Sequence, residues 1–391
     1  MDMKILRARL ALKFYIRTPR EWWLLRIQTI IMMKNWQTPR NAERRIRMNA
    51  KKNTIYDIAA EAGVSIATVS RVLRGENTVT EKTKKRVQDV ILRLNYQPSA
   101  IARGLTQRHS KTLGIALPRL DNPHYSLFYK GAYDEALKAG YTLLVFSWEK
   151  MKDANWDPAG MLVERRLDGV AIYTDYASGE NASNELNALY TIRQYMPVVL
   201  IGHNLPTKEY PSVTIDLKEC VSLMVEHLAS LGHERIALLG GLRDMQTEGT
   251  RDAGYREALK RAKLPYVSDY RVYGDCTPEG GQTALNEMLE RLIPSQWPTA
   301  VVAANDLTAM GAICAAEAHG LRVPEDMAIV GCDNLFFGAY MHPSLTSIDT
   351  HQIYIGRRAV QMLLDESLQT EEHVPCQLIL RESSGGPRTA R

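Results

Sequence analysis

The sequence predicts two fold classes in one chain: a small all-α headpiece, then a larger α/β body built on two doubly wound parallel sheets. Two observations carry this. Between Thr54 and Leu94, apolar residues recur at helical spacing in three short blocks, each preceded by a capping hydroxyl, with Gly63 at the first junction. From Thr112 onward, short apolar runs alternate with amphipathic stretches in the rhythm of βαβ units, and the series occurs twice. A chain of 391 residues is also too long for a single core.

In the headpiece, Thr54 caps a first helix and Asp57 supplies the acidic half of a capping box. Ile55, Ile58, Ala59 and Ala62 form its apolar face. Gly63 suits a tight turn, and Val64 plugs the angle between the helices. Ser65 caps a second helix, Ile66 to Leu73. Val69, Val72 and Leu73 are expected inside it, with Ile66, Ala67, Ser70 and Arg71 on the outer face. Thr80 caps a third helix, Glu81 to Leu94, carrying Lys82, Lys84, Lys85 and Arg86. This is the pattern of a helix-turn-helix that lays its second helix in the DNA major groove. An ordinary helical hairpin fits less well, because that outer face is short, polar and basic.

Asn95 to Pro98 stops the third helix. Ser99 to Leu105 can form one further short helix, well below the ~12–15 residues that are stable alone in water. Gly104 weakens it further. Either this segment is a plain linker, or it is a hinge that becomes helical when two copies meet on DNA.

In the body, TLGIALP, YTLLVFS, DGVAIYT and PVVLIG read as buried parallel strands, with helices around Tyr125–Ala139, Pro158–Arg166 and Ser183–Tyr195 between them. IALLGG, YRVYGD, TAVVAAND and MAIVGCD form the second series. Two such series imply two lobes with a cleft, and ligands in these folds sit at the carboxyl ends of strands. Asn305 and Asp306 follow one strand and Asp333 another, while Arg251 starts a helix behind IALLGG. Asp306 has an equal claim as the cap of the following helix. On the other lobe, Asn122-Pro123-His124-Tyr125, Phe128, Trp148 and Tyr173 supply aromatic faces near strand ends. Trp148 suits stacking on a ring or a place in the core. Carboxylates and an arginine around one cavity suit a polyhydroxyl ligand, whose vicinal oxygens both donate and accept.

Charge is segregated. Residues 1–47 hold 12 Lys+Arg against 3 Asp+Glu, and residues 48–111 hold 12 against 5. Of the chain's 49 basic and 44 acidic residues, that leaves 25 against 36 for the body. A basic front on an acidic body is the layout expected when only the front meets phosphate. Five cysteines at scattered positions, without a CxxC pair or a histidine-rich cluster, fit reduced structural thiols in a cytoplasm. There is no GxGxxG after a strand, GKS/T loop, HExxH or GxSxG, so the motifs point to no enzyme and to no cofactor. In the first 47 residues, arginine or lysine interrupts every apolar run before the ~20 residues that span a bilayer. That extension reads as a nucleic-acid-binding arm, a membrane-surface helix, or translated upstream sequence with the start at Met48.

The stretches GVSIATVSRVL, VTEKTKKRV and LNYQPSAIARGL closely resemble the lactose-repressor/galactose-repressor family of bacterial transcription regulators. The resemblance runs from about Asn53 to Ser383, so a start at Met48, just ahead of it, is the favoured expectation. It implies a cytoplasmic homodimer on a pseudo-palindromic operator, with a periplasmic-binding-protein-like effector domain and no membrane partner. Arg71, Ile66 and Ala67 then occupy base-reading positions. Arg71 suits guanine O6 and N7, and the apolar pair suits thymine methyls. Ser65, Thr68 and Lys82 suit phosphate. Ala102, Arg103 and Leu105 belong to a DNA-bound hinge, with Leu105 wedged in the minor groove. Gly104 stands where many relatives have serine. Arg251, Asn305 and Asp333 fall where relatives hold sugar hydroxyls.

The resemblance also implies three chain crossings between lobes, a last helix near His351–Leu364 and a last strand near Gln377–Arg381. The expected domains are a basic extension at 1–47, headpiece at 48–97 and hinge and linker at 98–111. The effector domain spans 112–383, with lobe 1 at 112–212 and 349–376 and lobe 2 at 213–348 and 377–383. A flexible tail, without a tetramerising leucine heptad, covers 384–391. Departures from the family pattern cluster at the pocket: Gly202-His203-Asn204, Cys276 and Cys332. The expected function is a ligand-responsive repressor whose effector is a sugar or sugar derivative. The alternative is a sugar-binding protein without a regulatory role.

Overall fold

A computed structural model describes residues 53–96 except 74 and 77, and residues 109–386 except 148–157, 175–179, 203–208, 244–245 and 369–370. The chain divides into two compact units, residues 1–103 and 104–391.

In the first unit, α1 (Ile55–Ala62) opens on a reciprocal capping box: Thr54 accepts the Asp57 N–H, and Asp57 accepts the Thr54 N–H at 2.7 Å. Gly63 ends it at φ 60°, where a side chain would be strained. α2 (Ile66–Leu73) follows, with Ser65 Oγ accepting the Thr68 N–H at 3.1 Å. α3 (Glu81–Arg93) is capped by Thr80. Ile58, Val69 and Val87 are fully buried between the three helices, and Tyr96 closes the core. Leu73, expected inside, is 36% exposed, because it ends α2 beyond the reach of this small core. The expected hinge at 98–105, including Ala102, Arg103 and Leu105, lies outside the described residues.

The second unit carries two six-stranded sheets. The first runs β11-β5-β4-β3-β1-β2 and the second β12-β10-β9-β8-β6-β7. In the first are β1 (Thr112–Leu117), β2 (Thr142–Ser147), β3 (Gly169–Thr174), β4 (Val198–Gly202), β5 (Ser212–Thr214) and β11 (Glu371–His373). The second contains β6 (Ile236–Gly240), β7 (Arg271–Tyr273), β8 (Ala300–Ala303), β9 (Ala328–Cys332), β10 (Thr346–Asp349) and β12 (Gln377–Ile379). Pairing is parallel except for β10 with β12. The inner strands β3, β4, β6, β8 and β9 are buried along their whole length, as unbroken apolar runs require. β2 departs from expectation. It is an edge strand, with Leu144 and Val145 each more than a third exposed.

Helices cover both sheets: α4 (Pro123–Lys138), α5 (Pro158–Glu164), α6 (Glu180–Arg193) and α11 (Gln352–Leu364) belong with the first, and α7 (Leu217–Ser230), α8 (Gln246–Arg261), α9 (Pro278–Arg291) and α10 (Asp306–Ala318) with the second. The chain passes between lobes from β5 to α7, from β10 to α11 and from β11 to β12. Because β5 pairs in the first sheet, lobe 1 extends past residue 212. α4 and α11 touch backbone to backbone. A Cβ at Gly131 would lie 1.9 Å from the Ile353 carbonyl oxygen, and one at Gly356 would lie 2.0 Å from that of Phe128.

Ser384, the first residue of the expected tail, belongs instead to the folded domain. Ser384 is 2% exposed, and its hydroxyl lies 2.9 Å from Thr346 Oγ1 and 3.0 Å from His227 Nε2. Among the described residues, no helix is long and apolar enough to cross a membrane.

Candidate functional site

A cavity of about 340 Å³ opens between the lobes where strand carboxyl ends converge. Residues after β1 (Arg119, Asp121, Asn122), β7 (Asp275, Cys276), β8 (Asn305), β9 (Asp333) and β10 (Thr350) line it, together with Tyr173 at the end of β3.

The two lobes meet directly at His124 and Asp333. Asn122 caps α4 by accepting the His124 N–H at 3.0 Å, which fixes the imidazole at the helix start. His124 Nδ1 lies 2.7 Å from Asp333 Oδ1, and Nε2 lies 3.0 Å from the Tyr173 hydroxyl. Tyr125 packs edge-on against Tyr173 at 5.0 Å between ring centroids. Asp333 adopts φ 121°, a backbone position disfavoured for a residue with a side chain. Its N–H is held by the Ile348 carbonyl at 2.9 Å.

Across the cavity, Glu248 is buried between two arginines. It bonds Arg251 through one oxygen and accepts from Arg271 Nη2 at 2.7 Å through the other. Burial acts to raise this carboxyl, but Arg251 and Arg271 together outweigh it and hold it below the ordinary glutamate range. Arg251, 13% exposed, thus faces the cavity from a fixed base. Nearby, Asp275 accepts from the Thr277 N–H at 3.0 Å and its hydroxyl at 2.5 Å. Asn305 caps α10 by accepting the Thr308 N–H at 2.8 Å and donates to the Cys276 carbonyl at 3.1 Å. One amide N–H and one carbonyl lone pair of Asn305 remain for another partner. At the rim, the two-pronged Arg119 contact holds Asp121 below the ordinary carboxylate range.

Of the residues singled out from the sequence, Tyr125, Tyr173, Arg251, Asn305 and Asp333 line this cavity. Phe128 does not. It is fully buried one helical turn deeper, in the core under α4. Asp306 is likewise fully buried outside the cavity lining, where it accepts from the Leu335 N–H at 2.7 Å and the Ser347 hydroxyl at 2.5 Å. Asn305, not Asp306, caps α10. Burial and the nearby Asp333 carboxylate push Asp306 up to about 7. Trp148 lies outside the described residues. The sequence marks His124 only as an aromatic neighbour and does not single out Asp275 or Glu248. Asp275 directly follows β7, so the strand-end rule points to it. Glu248 sits three residues before Arg251, a spacing that pairs charges on a helix.

On the headpiece, Ser65, Ile66, Ala67, Arg71 and Lys82 are exposed, and Thr68 is half-buried. The Ser65 and Thr68 hydroxyls lie 2.9 Å apart, so each reaches outward from a mutual contact.

Residues 54–99 match the family described as bacterial regulatory proteins, lacI family, and residues 225–384 match the periplasmic binding protein-like domain. The HTH-type transcriptional repressor PurR of Proteus mirabilis is 33% identical over 341 residues, covering 85% of this chain and 98% of that protein. The lac repressor dimer bound to operator and the anti-inducer ONPF superposes with a TM-score of 0.75 at 27% identity, covering 86% of this chain and 100% of that one. The complex of the transcriptional regulator CelR with cellobiose gives 0.62 at 27% identity, covering 85% and 99%. The chain belongs to the LacI family of bacterial regulatory proteins. It is a DNA-binding transcriptional repressor with an effector-binding domain.

Proposed function

We propose that the effector is a small polyhydroxyl molecule, a sugar or sugar derivative, bound in the interlobe cavity, and that it controls operator affinity in a cytoplasmic homodimer. The observation that carries this reading is the convergence of Asp333, Asp275, Asn305 and Arg251 on one cavity beside the face of Tyr125. Carboxylates accept from sugar hydroxyls, arginine donates to them, and an aromatic ring packs on the C–H face. The similarity to a regulator solved with cellobiose supports the same class. Effector binding changes the balance between two lobe arrangements, and the coupling to DNA is reciprocal.

In the same reading, Arg71 reads guanine, Ile66 and Ala67 contact thymine methyls, and Ser65, Thr68 and Lys82 hold phosphates. Ala102, Arg103 and Leu105 form the hinge, with Leu105 at the operator centre.

A thermal-shift screen of mono- and disaccharides, sugar phosphates, nucleobases and amino acids tests the ligand class. A sugar that binds only the folded chain adds about 2.7 kcal/mol at a hundredfold excess over Kd, and Asp333→Ala abolishes that shift. Stabilisation by a nucleobase or amino acid, with none by any sugar, overturns the assignment.

A further inference from the structure

The five cysteines are spread through the sequence, and the fold brings three of them together. Cys220 lies in the first turn of α7, Cys332 ends β9, and Cys376 immediately precedes β12. Cys220 and Cys332 are buried in one apolar core, and Cys376 packs half-buried against it. β10 lies between β9 and β12, with Ile348 opposite Cys332 on one side and Leu378 on the other. α7 packs on both outer strands, which sets the Cys220 thiol beside the other two cysteines in the same core.

The three thiols are not equivalent. The neighbouring Cys220 thiol lowers Cys376, which is also the only one of the three that solvent reaches appreciably. Cys220 also acts to lower Cys332, but burial and the Asp333 carboxylate outweigh it and leave Cys332 raised. Cys220 is fully buried and held as the thiol by these two neighbours and by burial.

We propose that Cys376 and Cys220 form an oxidant-sensitive dithiol, a modification site at which hydrogen peroxide converts two thiols into one disulfide. The Cys376 sulfur attacks one peroxide oxygen and the O–O bond breaks. The leaving hydroxide takes up the proton lost from Cys376, giving water and a sulfenic acid. The Cys220 sulfur then attacks that oxidised sulfur. The S–S bond forms as the S–O bond breaks, and the departing oxygen leaves as water with the Cys220 proton. Two thiols and one peroxide give one disulfide and two waters.

The position gives this bond a mechanical role. Cys376 sits on the three-residue crossing from β11 to β12, and Cys220 lies one turn after the crossing from β5 into α7. A bond between them staples two of the three interlobe crossings to each other and restrains the lobe movement through which effector acts. This inference does not depend on the identity of the effector.

Peptide mapping of the full-length protein tests it. After brief treatment with hydrogen peroxide, thiol blocking and digestion without reductant, a linked Cys220–Cys376 peptide pair is expected. It should disappear with dithiothreitol and fail to form in Cys376→Ala. Hydrogen exchange at Ile215, Asp216, Val374 and Cys376 should slow roughly tenfold in the oxidised form. A Cys220–Cys332 pair, or sulfonic acid at Cys376 without any linked peptide, overturns the assignment. Unchanged exchange in the linked protein overturns the stapling role. The mapping uses wild-type protein, so misfolding of a variant does not affect it, and Cys314→Ser, at an exposed position on α10, serves as a background free of that thiol.

Discussion

His124 Nδ1 and Asp333 Oδ1 stand 2.7 Å apart although they belong to different lobes, so one contact both closes the cleft and occupies a ligand-facing carboxylate. Removing the imidazole leaves the nearly buried Asp333 carboxyl without its cross-lobe polar neighbour, a loss of about 1–3 kcal/mol. His124→Ala should therefore lower the urea-unfolding free energy by about that amount, and His124→Asn by less. Equal stability of wild type and His124→Ala would show that the contact is not made in solution.

Glu248 governs the acid limit. Its folded-state carboxyl lies below the ordinary value of 4.5, so its contribution is fully present above that pH and is lost as pH falls through the folded value. Glu248→Gln leaves two arginines facing a neutral amide and should cost about 3 kcal/mol near neutrality. It should also shrink the stability difference between about pH 6 and pH 3. Urea midpoints across that range measure both effects, and an unaltered acid slope in the variant would rule out this role.

Asp306 acts in the opposite direction. Its folded value of about 7 lies above the ordinary 3.8, so the fold favours the protonated form. Its contribution is fully present below about pH 4 and is lost as pH rises to about 7 and beyond. An asparagine can keep the Leu335 contact through its oxygen and donate to Ser347 through its nitrogen. Asp306→Asn should accordingly fold, and above pH 7 its melting temperature should exceed that of wild type. A wild-type slope retained between about pH 5 and pH 8 would assign the titration to another group.

Arg71 and Lys82 separate specificity from affinity. Arg71→Ala should lose about 1–3 kcal/mol of discrimination at one base pair, seen as a relaxed position in selected binding sequences. Lys82→Ala should weaken binding to all duplexes and reduce the slope of log K against log salt by about 0.9. Loss of operator and random-sequence binding in equal measure for Arg71→Ala would remove it from base reading.

Much of the fold is legible in the residues because it rests on local rules. The capping box at Thr54, the turn at Gly63 and the unbroken apolar runs of β3, β4, β8 and β9 each state their own conformation. β5, β10 and β11 are three or four residues long, too short for periodicity to appear. The strand-end rule finds Asn305 and Asp333, but it cannot separate Asn305 from Asp306, whose side chains diverge to the cleft and to the Ser347 hydroxyl. Tyr125 and Phe128 share one face of α4, and only the depth of the helix end sends one to the cavity and the other to the core. The thiol cluster joins Cys220 to positions more than a hundred residues away through strand order, which no local pattern encodes.

Gly131 against Ile353 and Gly356 against Phe128 set the two helices backbone to backbone, with a consequence for stiffness. Side chains between two helices act as a compliant layer that absorbs small displacements by changing rotamer. α4 and α11 have no such layer at these glycines. α11 starts just after the crossing at Thr350 and His351, and α4 starts beside the cavity-lining His124 and Tyr125, so this backbone contact ties an interlobe crossing to the cavity wall. A single methyl group at either glycine would collide with the facing carbonyl oxygen and wedge the two helices, and with them the crossing and the cavity, apart.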